Sequence, residues 1–166
     1  MELLKETCVF AGSFDPVTLG HMYVIGMAAM TFKNVIVAVG VSDTKKATFT
    51  ATERVEMLKK ACAKYDTVSV VSYTGLTADF LREQGVKYLV RGVRDDKDLE
   101  YEQLVYKNVT AKNPDVEIVI FNCPKELKKV SSTLVKDCIF NGKPYYNYVP
   151  YEIISTLEES SKSKRK

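Results

Sequence analysis

Apolar, β-branched runs recur five times along the chain, separated by segments with helical spacing. The runs are TCVFAG (7–12), NVIVAVGV (34–41), TVSVVSY (67–73), KYLVRGV (87–93) and EIVIFN (117–122). Several are apolar on both faces, the pattern of parallel strands covered by helices on both sides. The intervening stretches predict helices over His21–Phe32, Thr50–Lys64, Thr77–Gln84, Asp95–Lys112 and Ser131–Phe140, with a last helix after Pro150. Their ends are marked. Thr50 and Glu53 have capping-box spacing, Gly85 is placed for a C-cap, and Asn113-Pro114 and Asn141-Gly142 stop the helices before them. Strand–helix alternation of this kind predicts an α/β fold: a single Rossmann-like domain with a five-stranded parallel sheet and helices on both faces.

The polar residues are distributed unevenly over that plan. SFDPVTLGH follows the first strand, SDTKKATFT the second, TGLTADF the third, RGVRDDKDLEYE closes the fourth, and CPKELKKVSST follows the fifth. Each lies beyond the carboxyl end of a strand, where open parallel sheets bind ligands. The connections at the opposite edge, such as 33–34 and 65–66, are short and plain.

Composition changes this picture little. The chain has 166 residues, the size of one domain, and its 46% hydrophobic and 27% charged content is ordinary for a globular protein. No apolar run is long enough to span a bilayer, and MELLKET lacks a signal-peptide pattern, so a cytosolic protein is expected. The net charge of +3 comes from the tail SSKSKRK; without its four cations, 20 basic residues face 21 acidic ones. A body without basic excess argues against nucleic acid as a partner. The domain is therefore expected over residues 1–159, with 160–166 a disordered basic tail. Cys8, Cys62, Cys123 and Cys138 are scattered and read as buried reduced thiols.

The segment Ala11–His21, AGSFDPVTLGH, carries the densest chemistry and the chain's one histidine. Gly12 permits a sharp turn, Pro16 fixes it, and Thr18 and His21 share the first turn of the helix that follows. The free N–H groups of that helix start favour an anion, and His21 is placed to donate to a phosphate oxygen. As a bland alternative, His21 is only a cap.

GSFDP followed by TLGH resembles the first signature of the nucleotidyltransferase superfamily, and VSST (130–133) resembles its second, which opens a late helix. Within the superfamily the chain looks like a bacterial-type phosphopantetheine adenylyltransferase. SDTKKATFTATERVEML and VRGVRDDKDLEYE match that family's S-x-x-K-K and R-G-[LV]-R-x-x-x-D-x-E-Y-E segments, and NYVPYEI matches its closing segment. The resemblance runs from about residue 7 to 158. It implies adenylyl transfer from ATP to 4′-phosphopantetheine, giving dephospho-coenzyme A and pyrophosphate. It also implies Mg²⁺ arriving with ATP, no covalent intermediate, and a homohexamer.

The resemblance implies roles for particular residues. His21 would contact the α-phosphate. Lys45 and Arg91 would bind the acceptor's phosphate, and Thr77 would line its arm. Ser13 and Phe14 would meet both ligands. Gly92, Val93, Arg94 and Glu102 would hold the nucleotide, together with Leu127, Lys128, Lys129, Val130, Ser131, Ser132 and Thr133. The chain departs from the family at Leu127, where tryptophan is common, at Thr77, where leucine or methionine is common, and at Lys128 and Lys129, where less charged residues are common. A phosphomonoester acceptor is ionised near neutral pH, with a second pKa of about 6, so the reaction needs no general base. A sister enzyme acting on nicotinate or nicotinamide mononucleotide, or a cytidylyltransferase, is the runner-up. A nucleotide-binding module without turnover is the reading from a different class.

Overall fold

Strand β1 (Leu4–Gly12) occupies the middle of a five-stranded sheet of order β3-β2-β1-β4-β5, with β2 (Phe32–Val41), β3 (Val68–Thr74), β4 (Tyr88–Val93) and β5 (Glu117–Asn122). All neighbouring pairs are parallel. This computed structural model describes residues 4–165. The expected strands and helices all form, with ends shifted by a few residues. The chain builds outward from β1 to β3, then crosses back to lay β4 against the other side of β1. The gap between the carboxyl ends of β1 and β4 is thus the point where strand order reverses, and ligands of open α/β sheets sit at such a point.

Alternation along the central strands divides the core in two. Cys8, Phe10, Val35, Val37 and Val39 face one side, where they meet α1 (Leu19–Thr31), α2 (Ala51–Cys62), α5 (Ser132–Phe140) and α6 (Ile154–Lys162). Val9, Ala11, Ala38 and Leu89 face the other, against α3 (Thr77–Glu83) and α4 (Asp96–Lys112). Burial on both faces explains the continuous apolar runs of β1 and β2. The edge strands are less covered, and Val71 and Ile120 are exposed.

Helix starts are fixed by side chains. Thr50 and Glu53 form the expected capping box at α2, and Ser131 caps α5 by accepting from Leu134 N at 3.1 Å. A second capping box, which the sequence reading did not anticipate, opens α1: Thr18 accepts from His21 N while the His21 ring accepts from Thr18 N. Short 3₁₀ turns at Lys125–Leu127, Tyr146–Tyr148 and Tyr151–Ile153 join the last elements.

The C-terminal expectation needs correction. Residues 160–162 are helical, not a disordered tail, because α6 continues to Lys162. Leu157 and Ser161 lie one turn apart on its buried face, and Ser161 Oγ donates to Leu157 O at 2.5 Å. Lys164 reaches Glu53 at 3.1 Å, so the tail's charge docks on the start of α2. Lys166 lies outside the described residues. Among the described residues, the four cysteines are free and buried, and no helix is long and apolar enough to cross a membrane.

Candidate active site

A cleft of about 380 Å³ opens at the carboxyl ends of β1 and β4. Its floor is Phe10 to Phe14 and its walls come from α1, β4, α4 and the start of α5. The Asp15–Pro16 peptide is cis, and Phe14 adopts a positive φ of 47°. That conformation turns the Phe14 ring inward, edge-on to Phe10 and 4.9 Å from the His21 ring. The buried phenyl packs against the imidazole with the two ring planes 61° apart.

Two contacts define His21. Its Nδ1 accepts the Thr18 backbone N–H at 3.0 Å, and the Thr18 hydroxyl lies 3.1 Å from the same nitrogen. A nitrogen that accepts an N–H carries no proton, so the neutral ring keeps its hydrogen on Nε2. Burial lowers the His21 pKa to about 4, reinforced by the charges of Arg94 and Arg91. Near neutral pH the ring is therefore an uncharged Nε2–H donor in a cleft that it shares with Arg91 and Arg94. It is both a helix cap and a member of the site.

Arg91 leaves β4 and crosses toward β1, where its Nη1 donates to Ala11 O at 2.9 Å. Its Nε lies 2.9 Å from a carboxylate oxygen of Glu102, which is 4% exposed. Glu102, expected at the nucleotide, lines the cleft, and its carboxylate anchors Arg91. Arg94 is held in the same way by Asp98, with Nε–Oδ2 at 2.9 Å. That hydrogen bond keeps the Asp98 carboxyl below its ordinary pKa. The two acids spend their charge on orienting guanidiniums.

The start of α5 completes the cleft. Ser132 Oγ donates to Pro16 O at 2.8 Å, tying the second signature to the first. Ser131, Ser132, Thr133 and Val130 all line the opening. Gly92 is required for packing: a Cβ there would stand 2.6 Å from Val24 Cγ2 on α1.

The expected site residues divide into three groups. Ser13, Phe14, His21, Arg91, Gly92, Arg94, Glu102 and residues 130–133 meet in the cleft. Val93 and Lys128 line a second hollow of about 190 Å³, which shares Arg94 and Cys123 with it. Lys45, Thr77, Leu127 and Lys129 line neither. Lys45 sits on the exposed loop after β2, and the Thr77 hydroxyl is engaged 2.8 Å from Tyr73 OH. Asp98, Tyr101 and Cys123 line the cleft but were not anticipated as site residues. Asp98 was legible within the R-x-x-x-D spacing; Cys123 carried no signal beyond its position after a strand. Burial raises the Cys123 pKa, so the thiol is not a poised nucleophile.

This architecture agrees with the relatives of the chain. A family model described as cytidylyltransferase-like matches residues 9–138, which gives the class: nucleotidyltransferases. A Clostridium perfringens phosphopantetheine adenylyltransferase is 40% identical over 159 residues, covering 95% of this chain and 96% of that protein. The chain belongs to the phosphopantetheine adenylyltransferases within that class, and it is an enzyme. Solved structures share the fold at low identity. A Vibrio parahaemolyticus protein described as a nicotinate-nucleotide adenylyltransferase gives a TM-score of 0.74 at 16% identity, covering 98% of this chain and 97% of that one. A Francisella tularensis bifunctional NMN adenylyltransferase/ADP ribose pyrophosphatase, complexed with AMP and a manganese ion, gives 0.72 at 18%, covering 98% of this chain and 52% of that one.

Proposed function

We propose that this enzyme transfers the adenylyl group of ATP to 4′-phosphopantetheine by direct in-line attack, releasing pyrophosphate and forming dephospho-coenzyme A. The observation that carries the reading is that one cleft gathers the neutral His21 ring, two arginines anchored by carboxylates and the start of α5. These groups suit charge that builds on an α-phosphate, where a fixed donor contributes most in the transition state. The two cleft carboxylates are neutralised by arginines, so no general base stands ready there. A phosphomonoester acceptor, already ionised, asks for none.

In this reading the acceptor phosphate binds Arg91 and is met by Lys45 from the loop after β2. The phosphates of ATP lie along His21, Arg94 and the N–H groups of Ser132 and Thr133. The base extends toward Val93 and Lys128 in the second hollow. Asp98 and Glu102 are committed to the arginines, and among the described residues no group of three potential ligands gathers around a cation position. Such a cleft fits Mg²⁺ held by phosphate oxygens and water, which would lower the negative charge on the leaving pyrophosphate. The exposed Leu99, Leu104 and Tyr106 of α4 support association of several copies of the chain, a hexamer by family resemblance. A cytosolic location follows from the same resemblance.

The deciding test is an acceptor panel with ATP and Mg²⁺, reading pyrophosphate. 4′-Phosphopantetheine should turn over, and pantetheine, which lacks the nucleophile, should be a very poor substrate. Faster turnover of nicotinate or nicotinamide mononucleotide would reassign the acceptor.

A further inference from the structure

Arg54 lies on the first turns of α2, outside the cleft, and is 4% exposed. Burying a guanidinium is costly unless its donors are satisfied. Its hydrogen bonds run to three backbone carbonyls rather than to a carboxylate: Nε to Phe49 O at 3.0 Å, and Nη1 to Ser13 O at 2.8 Å and Gly40 O at 3.1 Å. Gly40 and Phe49 are the two ends of the loop that carries Lys45. Ser13 belongs to the cleft floor. One side chain therefore closes the base of this loop and fastens it to the turn beneath the cleft.

Asp15 makes the reciprocal contact. Its buried carboxylate accepts from Thr48 N at 2.9 Å and from Phe49 N at 2.8 Å, with Lys136 Nζ at 3.4 Å as its counter-charge. Within the loop, the side-chain hydrogen bonds are local: Ser42 Oγ accepts from Thr44 N and Lys45 N. Residues 42–46 are exposed. The loop's placement is thus decided at its base.

We infer that Arg54, backed by Asp15, is the positioning residue that sets Lys45 over the acceptor side of the cleft. This rests on the acceptor-phosphate role given to Lys45 above. Lysine at position 54 keeps the charge but lacks the planar fork that serves three carbonyls. Loosening the base frees the loop at Gly40 and Phe49, while β1 keeps its strand pairing to β2 and β4, so the acceptor suffers more than ATP.

The experiment compares Arg54→Lys, Lys45→Ala and the double variant in the full-length enzyme. Arg54→Lys should raise the KM for 4′-phosphopantetheine by about tenfold with the KM for ATP changed less than about twofold. In the Lys45→Ala background it should add less than about twofold to the acceptor KM. Amide exchange over residues 41–48 should quicken while the amides of β1 and β4 stay protected, which general destabilisation would not produce. Equal rises in both KM values, or independent effects in the double variant, overturn the inference. If Lys45→Ala leaves the acceptor KM unchanged while Arg54→Lys raises it with the same exchange pattern, the latch stands and the role of Lys45 falls. If Arg54→Lys does not fold, Asp15→Asn carries the same expectations, because it weakens the Thr48–Phe49 end of the loop, together with the pair to Lys136, and leaves the Arg54 contacts in place.

Discussion

His21 combines two roles that the sequence presents as rivals. The ring completes the capping box of α1 through Nδ1, the same bond holds its proton on Nε2, and the residue lines the cleft. Replacement by alanine loses the ring's half of the capping box and leaves Thr18 as the N-cap, so the cost in stability should stay below about 1 kcal/mol. It also loses the donor, and removing one such donor costs roughly 10²–10³ in kcat. The KM for ATP should change far less, since the interaction strengthens in the transition state. Measuring kcat, KM and thermal midpoint on one preparation separates the roles; a folded variant with near-normal kcat leaves only the cap. Glu102 gives a second residue-scale prediction. Glu102→Gln keeps the shape but removes the charge that fixes Arg91, so turnover should fall at least tenfold while ATP affinity is largely retained. Unchanged turnover would show that Arg91 needs no anchor. The Arg91–Glu102 pair was not legible in the sequence. Eleven positions separate a strand end from a helix face, and local spacing rules pair residues only within one helix. Lys45 and Thr77 mark the opposite limit. Family resemblance alone singled them out for the acceptor, and the structure places neither in the cleft walls.

Elements were far more legible than contacts. Two-faced apolar runs identify buried strands wherever they occur, and Thr50/Glu53 and Ser131 announce their helices. The end of α6 was hidden because SSKSKRK is polar and charged, and its order comes from contacts made elsewhere: Leu157 in the core and Glu53 far back in the chain. The α1–β4 contact was hidden too. Gly92 falls inside an apolar strand run, and nothing in that pattern says that it lies against Val24 of α1. Gly92→Ala therefore forces α1 away from β4. Overpacking of this kind costs about 1–3 kcal/mol and should lower the unfolding midpoint. It should also lower kcat, since His21 rides on the displaced helix. Loss of stability without loss of activity would mean that α1 accommodates the methyl by moving elsewhere.

At the scale of the whole molecule, the cleft couples charge to stability. Folding places the chain's one histidine in a site that resists protonation, with a pKa of about 4 against an ordinary 6.5. Between these values the unfolded chain binds a proton that the folded chain does not, so stability falls as pH drops from above 6.5 toward 4 and levels off below. The accumulated loss at pH 5 is on the order of 2 kcal/mol. The carboxylates with depressed pKa values, Glu53 and Asp98, act in the same direction as His21 but at lower pH. They stabilise the fold above their unfolded pKa values and lose that contribution on further acidification, so the range between pH 7.5 and 5.5 belongs mainly to His21. Polyphosphate changes the balance. Its negative charge offsets Arg91 and Arg94, the two cations that help hold the ring neutral, so the pKa rises when ATP is bound and the acid penalty shrinks. Urea unfolding at pH 7.5 and 5.5, with and without ATP, should show a drop in stability for the free enzyme and a smaller drop for the complex. His21→Asn, which cannot take up the proton, should flatten the free-enzyme curve over this range. An equal drop in that variant would place the acid sensitivity outside the cleft.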